Sequence, residues 1–339
     1  MNQNIRDLLQ AVCAPSELDQ VVRLLNIPGS LGNGDVAAVT RAELAQALNM
    51  ALFAELLTRV PSARAYADDV LAAGGRVQFD HGALRTVRWP HSGALPPGEA
   101  AFTRILKPLG YRLNGTYPLE RIGMTGRSYA QADAPEEIAQ YFLSEFHPER
   151  FSTMLQSTVT KVIGASTDPL TPQALAWLNE LERDGSLPGA CAKALLPVLV
   201  GCFARRHSLP RLADYEALLA ESAEMAWIAT EGNAFNHATD RVDNVFAVAD
   251  AQRALGRPIK DVVEVSKSGR VKQTAFRADP VQREFIAADG STVTRTVPGS
   301  FYEFITRDPH PHAVADMPGI DLGFDAGNAT GIFKMTAAA

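Results

Sequence analysis

The sequence predicts an α+β fold in which two related modules, each a helix packed on a curved mixed or antiparallel sheet, are joined by helical regions. Three observations predict this fold. A short motif occurs twice, a strand–helix–strand–strand order follows each copy, and helical patterns fill most of the remaining chain. We therefore predict a helical N-terminal region (1–74), a first βαβββ-like module (75–134), a helical insert (135–230) and a second such module with a C-terminal segment (231–339).

The repeated motif is FDHGALR at 79–85 and FNHATDR at 235–241. Both copies have Phe, then Asp or Asn, then His, and an Arg four residues after the His. Apolar and β-branched residues surround each copy, which favours a strand. The repeat predicts a duplicated module in which each first strand carries a histidine.

The elements of the first module are read from periodicity and turn residues. Amphipathic helices are predicted at Arg41–Leu57 and Ser62–Ala73, before the strand that contains His81. A helix from Glu99 to Leu109 and strands at Tyr111–Tyr117 and Arg127–Ala132 follow. From Pro135 to about Thr230 the pattern is helical, and this stretch forms the predicted insert.

The second module repeats this order. A helix is expected from Ala247 to Leu255, and a strand pair with a Ser-Gly turn is expected in VVEVSKSGRVKQTAFRA. The segment QREFIAADGSTVTRTV contains the Asp-Gly dipeptide typical of a tight hairpin, and SFYEFITR reads as a last strand. The order strand, helix, several strands therefore occurs twice.

Composition excludes several classes of protein. With 46% hydrophobic and 21% charged residues the chain is typical of a soluble globular protein, and a net charge of −6 argues against nucleic-acid or anionic-membrane partners. The N-terminal residues lack the apolar core of a signal peptide, and the longest apolar run, 194–204, is too short for a membrane span. The three cysteines, Cys13, Cys191 and Cys202, are far apart and read as reduced thiols. We expect a cytoplasmic protein.

The candidate site consists of two histidines and a carboxylate. Of the seven histidines only His81 and His237 stand in predicted strands with apolar neighbours; either alone could be a hydrogen-bonded core residue, but a repeated pair favours metal binding. Glu303 stands inside an aromatic strand, where an ionised carboxylate is costly unless it is paired or coordinated. The alternatives for Glu303 are an exposed edge position or an ion pair with Arg307. Two imidazoles and one carboxylate suit Fe(II) of an oxygenase or Zn(II), and ligand identity alone does not choose between them.

Arg85 is the candidate substrate anchor. Side chains alternate along a strand, so His81 and Arg85 share a face, with Cα atoms about 13 Å apart. A metal at one position and a guanidinium at the other could bracket a dicarboxylate of five or six carbons. The alternative is an internal ion pair of Arg85 with Asp80 or another acid. Arg241, the repeat counterpart of Arg85, reads rather as a structural salt-bridge residue.

Four segments carry a resemblance to a known family: VQFDHGALRTV, EGNAFNHATDRV, GSFYEFITR and GFDAGNATGIFK. They resemble the 2-oxoadipate dioxygenase/decarboxylases, or 2-hydroxyglutarate synthases, of lysine catabolism, a family formerly known as a domain of unknown function. These enzymes belong to the vicinal oxygen chelate superfamily, whose βαβββ modules pair around a metal.

The resemblance implies a site and a reaction. It implies that His81, His237 and Glu303 hold Fe(II) and that Arg85 binds the distal carboxylate of the substrate. The partners would be a small 2-oxo acid and O₂, with 2-oxoadipate converted to 2-hydroxyglutarate and CO₂. No catalytic residue beyond the metal ligands is implied.

Two other classes of function remain open. Related folds with similar ligands include glyoxalase-like isomerases or lyases and ring-cleaving dioxygenases. A non-catalytic protein could also keep the fold and the metal for stability. Oxygen uptake that depends on a 2-oxo acid would separate the first prediction from these.

Overall fold

The computed structural model describes residues 2–35, 37–310 and 319–325. The helices are α1 (Gln3–Leu9), α2 (Pro15–Leu24), α3 (Arg41–Arg59), α4 (Pro61–Ala72), α5 (Ala100–Leu106), α6 (Thr153–Ile163), α7 (Pro172–Asp184), α8 (Gly189–Cys202), α9 (Leu212–Glu221), α10 (Ala223–Glu231) and α11 (Val245–Ala254). The strands are β1 (Ala38–Thr40), β2 (Phe79–Val87), β3 (Tyr111–Leu119), β4 (Met124–Gln131), β5 (Gln140–Phe146), β6 (Ser186–Pro188), β7 (Phe235–Arg241), β8 (Glu264–Val265), β9 (Val271–Ala275), β10 (Pro280–Ile286), β11 (Thr292–Pro298) and β12 (Phe301–Arg307).

A curled eight-stranded mixed sheet forms the centre of the fold, in the order β3-β4-β5-β2-β7-β12-β9-β8. Its two halves have the same topology. In the first half β2 pairs in parallel with β5, and in the second half β7 pairs in parallel with β12. The outer pairs are antiparallel in both halves, and β2 and β7 join the halves as an antiparallel pair. The predicted α+β fold with two βαβββ-type modules is confirmed.

The fourth strand of the first module lies where a helix was predicted. The chain forms β5 at 140–146, so the prediction of helix from Pro135 is wrong there, and the helical insert begins only with α6. All seven residues of β5 are buried. A strand buried on both faces lacks the polar–apolar alternation that distinguishes a strand from a helix.

The predicted tight hairpin forms as an extra element of the second module. Strands β10 and β11 pair with each other as a two-stranded sheet, between β9 and β12 in the chain, and the Asp-Gly turn places Gly290 at a φ of +84°. Glycine adopts this left-handed conformation without the steric cost that other residues incur. The hairpin packs on the helical insert, where the rings of Phe285 and Tyr215 lie 4.8 Å apart.

Helices cover both faces of the sheet. The N-terminal helices pack on one face, where Phe53 of α3 contacts Phe79 and Tyr302 edge to face. Helices α6, α9 and α10 pack on one end of the other face, which carries Ala83 and Phe142. The insert therefore covers part of the sheet face on which His81 lies.

Two further sequence-based expectations concern cysteines and the membrane. Cys13, Cys191 and Cys202 are free cysteines, in agreement with the prediction of reduced thiols. Within the described ranges, none of the helices is both long and apolar enough to cross a membrane.

Candidate metal centre and substrate cavity

The structure brings His81, His237 and Glu303 together. The Nε2 atoms of the two histidines are 3.4 Å apart, and Oε2 of Glu303 lies 3.3 Å from Nε2 of His81 and 3.2 Å from Nε2 of His237. The three residues are only 1–4% exposed. These ligand atoms thus form a small, buried triangle.

The central strands of the sheet create this triangle. His81 on β2 lies opposite Thr239 on β7, and Thr239 lies in turn opposite Glu303 on β12. His237 stands two residues before Thr239, on the same face of β7. Three adjacent strands therefore each contribute one ligand atom to one point.

The donor set fits a divalent metal ion. Adjacent ligands about 2.0–2.2 Å from one ion are separated by roughly 3.0–3.5 Å, which matches the edges of the triangle. Among the described residues, no hydrogen-bond donor reaches Oε1 of Glu303, although this atom is buried. A buried carboxylate oxygen without a donor is costly, and a bound cation would remove that cost. Over the same residues this is the one group of three or more metal-ligating side chains.

The residue before each histidine orients its ring. Nδ1 of His81 donates to Oδ1 of Asp80 at 2.8 Å, and the side-chain amide of Asn236 lies 3.1 Å from Nδ1 of His237. Contacts of this kind fix the orientation of the ring, with Nε2 directed at the triangle. Asp80 and Asn236, which the repeated motif aligns, each contact Nδ1 of the histidine that follows, through a carboxylate oxygen and an amide group respectively, and sequence reasoning did not assign these contacts.

Electrostatics favour a cation at the triangle. Burial opposes ionisation of Glu303, but hydrogen bonds from His237 and His81 hold its pKa well below the usual range. Burial lowers the pKa of His81, but its hydrogen bonds to Asp80 and Glu303 outweigh burial and raise it. Burial lowers the pKa of His237, with Glu303 opposing. The pKa of Glu303 is thus lowered and that of His81 raised, and a bound metal would compete with protons for the imidazole nitrogens.

The alternatives for Glu303 are wrong. It is 1% exposed and so does not face water. Arg307 binds Asp80 instead, with Nε 2.8 Å from Oδ2 and Nη2 2.9 Å from Oδ1. The guanidinium of Arg241 lies farther from Asp80 than that of Arg307 does, with Nη1 of Arg241 3.9 Å from Oδ2 of Asp80. Nη2 of Arg241 donates to the backbone carbonyl of Glu136.

Thr239 is a site residue that sequence reasoning missed. Its Oγ1 donates to Oε2 of Glu303 at 2.7 Å and lies 3.1 Å from Nε2 of His81. Thr239 is fully buried beside the triangle. The repeat offered a signal, because the first copy has Ala83 at this position and a hydroxyl there needs a partner.

The symmetry of the modules shows why the candidate site has one carboxylate and not two. His237 pairs with Phe301 on β12, and Glu303 stands two residues later; His81 pairs with Gln140 on β5, and Phe142 stands two residues later. Phe142 is therefore the counterpart of Glu303. An apolar ring occupies the place where a symmetric site would have a second carboxylate.

A cavity adjoins the triangle. Besides the three ligands it is lined by Ala83, Phe142, Ser144, Asn236, Gln273, Phe324 and Asp325. The ring of Phe324 lies 4.8 Å from that of His81 and 5.0 Å from that of Phe142. The cavity thus has an aromatic wall next to the metal-ligating atoms, with hydroxyl and amide groups further along.

Arg85 lies next to this cavity but does not line it. Ser144, which does, is the direct neighbour of Arg85 in the β2–β5 pairing. The guanidinium is fully buried, with Cζ 4.8 Å from the ring centroid of Trp227. Burial lowers the pKa of Arg85 to about 10, with Glu224 acting in the opposite sense, so Arg85 remains a cation at neutral pH. The guanidinium of Arg85 is therefore a buried positive charge behind the part of the cavity lining that contains Ser144.

The amino-acid sequence is similar to that of proteins whose family is known. The family model of 2-oxoadipate dioxygenase/decarboxylase matches residues 54–310. A curated relative, the chloroplastic 2-oxoadipate dioxygenase/decarboxylase of Arabidopsis thaliana, is 29% identical over 144 residues, which cover 38% of this chain and 38% of the plant enzyme. The match thus spans less than two thirds of the plant enzyme.

Solved structures show the same fold. A protein from Ralstonia eutropha JMP134, described as belonging to the glyoxalase superfamily, is 64% identical, with a TM-score of 0.91 over 96% of this chain and 100% of its own. The hydroxyglutarate synthase of Oryza sativa, solved with 2-oxoadipate, is 18% identical, with a TM-score of 0.65 over 93% of this chain and 95% of its own. Because the family model covers most of the chain, the protein belongs to the 2-oxoadipate dioxygenase/decarboxylase family.

Proposed function

We propose that the protein is an Fe(II)-dependent dioxygenase/decarboxylase that acts on a 2-oxo dicarboxylic acid, with 2-oxoadipate as the first candidate. The reaction joins the 2-oxo acid and O₂ and gives CO₂ and a 2-hydroxy acid one carbon shorter, here 2-hydroxyglutarate. Both atoms of O₂ enter the products, so no second reductant is needed. The observation that carries the proposal is the buried His81–His237–Glu303 triangle in a member of this family.

Iron suits the proposed chemistry and the donors. Two imidazoles and one carboxylate on one side of a metal are the ligand set of non-haem Fe(II) oxygenases, which leaves room for a chelating substrate. Bound Fe(II) would supply the redox chemistry of O₂ activation. The apolar ring of Phe142 suits a site that binds substrate at the metal, whether iron or zinc, because a carboxylate there would compete with the substrate for the metal.

Arg85 would orient the substrate from the other end. With the 2-oxo acid group at the metal, the rest of a six-carbon chain would extend past Ala83 toward the β2–β5 neighbours Ser144 and Arg85. A buried guanidinium can hold a carboxylate through two parallel hydrogen bonds. The lining would have to move to admit the substrate, because the cavity has a volume of only about 20 Å³ and Arg85 lies behind its lining.

The aromatic wall would keep water away from the reacting end of the substrate. Phe324 and Phe142 contact each other, and Phe324 also covers the ring of His81. Excluding water strengthens charge interactions inside the site and limits side reactions. Thr239, which donates to Glu303, would hold that carboxylate in place.

The test is O₂ consumption and CO₂ release by the anaerobically iron-loaded protein with a panel of 2-oxo acids. We expect one CO₂ per O₂ with 2-oxoadipate, formation of 2-hydroxyglutarate, and no turnover by Glu303→Gln, which cannot supply the anionic ligand. Absence of O₂ uptake with every 2-oxo acid, in protein shown to hold iron at the triangle, would refute the proposal and favour the isomerase or lyase class.

A further inference from the structure

Residues 319–325, here called the covering segment, lie over the metal centre. Phe324 packs on His81 and Phe142, and its backbone N–H donates to Oη of Tyr117 at 3.2 Å. The carbonyl of Leu322 accepts from the Gln140 side chain at 3.3 Å. The covering segment therefore forms one side of the cavity, although it is remote in sequence from His81.

Arg307 connects this segment to a metal ligand. Its Nε and Nη2 donate to the two oxygens of Asp80, whose Oδ1 accepts from Nδ1 of His81. Its Nη1 donates to the carbonyls of Asp321 and Gly323, each at 2.7 Å. Its Cζ also lies 4.8 Å from the ring centroid of Phe324. One fully buried side chain thus holds both the covering segment and the carboxylate that orients His81.

We propose that Arg307 is a positioning residue that couples the seating of the covering segment to the orientation of His81, and hence to metal binding. If the segment left, Nη1 would lose both of its carbonyl acceptors inside the protein, where an unsatisfied charged donor is costly. The planar guanidinium cannot rotate to find new acceptors without disturbing its two parallel hydrogen bonds to Asp80. Asp80 would then hold His81 less firmly.

The arrangement distinguishes Arg307 from the other arginine that holds the segment. Arg270 also contacts it, with Nε 3.0 Å from Oδ2 of Asp321. Within the described residues Arg270 makes no hydrogen bond to Asp80, so it can hold the segment without acting on His81. Coupling requires one rigid group that contacts both the covering segment and Asp80, and the guanidinium of Arg307 contacts both.

The coupling is reciprocal by thermodynamic linkage. If a seated segment strengthens metal binding, metal binding must strengthen the seating of the segment by the same factor. The inference rests on the metal centre and not on the identity of the substrate. Its test therefore needs no turnover, and failure of the proposed reaction would leave the test intact.

The experiment measures Co(II) and Fe(II) affinity under anaerobic conditions, together with hydrogen exchange of the 319–325 amides by mass spectrometry, with and without metal. In the wild type we expect metal to slow exchange of these amides at least about fivefold, the lower range of typical coupling between sites. In Arg307→Lys, whose single amine cannot serve Asp80 and both carbonyls, we expect a 10- to 100-fold loss of metal affinity, roughly the cost of losing an outer-shell partner. The metal should no longer slow exchange of the segment.

The matched control is Arg104→Lys. Arg104 forms a two-point ion pair with Asp168, both contacts being 2.6 Å, and among the described residues this pair makes no hydrogen bond to the triangle or to the covering segment. We expect wild-type metal affinity and wild-type protection from exchange in this variant. The control separates the proposed link from the general cost of replacing a paired arginine.

Asp80→Asn weakens the Arg307–Asp80–His81 connection at Asp80, and it replaces Arg307→Lys in the experiment if that variant does not fold. We expect weaker metal binding and loss of the metal effect on exchange, while the segment keeps its protection in the metal-free protein because Arg307 still holds its carbonyls. Unchanged metal affinity in folded Arg307→Lys would overturn the proposal. So would metal-dependent protection that persists in Asp80→Asn.

Discussion

Replacing Arg85 with methionine tests the substrate assignment most directly. Methionine keeps an unbranched chain but removes the charge. Arg85 is fully buried against Trp227, so water does not readily replace the lost guanidinium. Truncating one partner of a buried, hydrogen-bonded charge pair costs about 2–5 kcal/mol. At about 3 kcal/mol, kcat/KM for 2-oxoadipate should fall about 100-fold, because each 1.4 kcal/mol is roughly tenfold.

The assay compares two substrates that differ only at the distal end. In 2-oxohexanoate a methyl group replaces the distal carboxylate of 2-oxoadipate, so this compound gains nothing from Arg85. We expect Arg85→Met to lower kcat/KM for 2-oxoadipate about 100-fold and to change it less than about threefold for 2-oxohexanoate. O₂ consumption at matched iron content is the measurement.

Two results would refute the reasoning. An equal loss for both substrates would mean that Arg85 acts through packing on Trp227 or its interaction with Glu224. An unchanged rate for both would mean that the substrate carboxylate is bound elsewhere. The free energy of unfolding of the variant, measured in urea, shows whether a general loss of stability contributes.

Three further predictions concern the ligands and a buried acid. Glu303→Gln should weaken Fe(II) binding more than about 100-fold, beyond the usual cost of losing an outer-shell partner, and equilibrium metal titration measures this. Phe142→Glu places a carboxylate at the counterpart of Glu303; it should keep metal binding but abolish 2-oxoadipate turnover, and turnover equal to the wild type would contradict our reading of the module symmetry. Burial raises the pKa of Asp240 to about 7, although hydrogen bonds from Tyr66 and the backbone of Gln78 oppose this. The folded state therefore binds the proton more tightly than the unfolded chain, whose carboxyl titrates near pH 3.9, so the free energy of unfolding should fall as pH rises from about 4 to 7, by at most about 4 kcal/mol. Asp240→Asn should remove this decline, and urea unfolding across that pH range would show it; an unaltered slope would contradict the assignment.

Much of the site could be predicted because the duplication is visible in the residues. The repeated Phe, His and Arg identified His81 and His237 as equivalent, and the aromatic strand around Glu303 made an ionised carboxylate conspicuous. The structure brings these three within 3.4 Å of one another. Strand β5 was missed, because full burial on both faces removes the alternation from which a strand is recognised.

The contacts that surround the three candidate ligands could not be predicted, because they depend on which strands become neighbours in the sheet. Arg307 read as a partner of Glu303, four residues away, whereas the fold gives it to Asp80 in the other module. The role of Thr239 and the correspondence of Phe142 with Glu303 follow from strand registers that no single strand encodes. Part of the closing motif GFDAGNATGIFK, residues 326–334, lies outside the described residues.

The sequence by itself determined the α+β class, the duplicated modules and the identity of the three metal-ligand candidates. Local chemistry suffices for these, since periodicity, turn residues and a repeated motif are all short-range. Only the tertiary structure decided that the three side chains converge and that Phe142 stands at the position equivalent to Glu303 in the other module. It also decided that Arg307 joins the covering segment to His81 through Asp80. The longest-range of these contacts, between Asp80 and Arg307, joins residues separated by 227 positions, and it exists only once the strands of both modules have paired into one sheet.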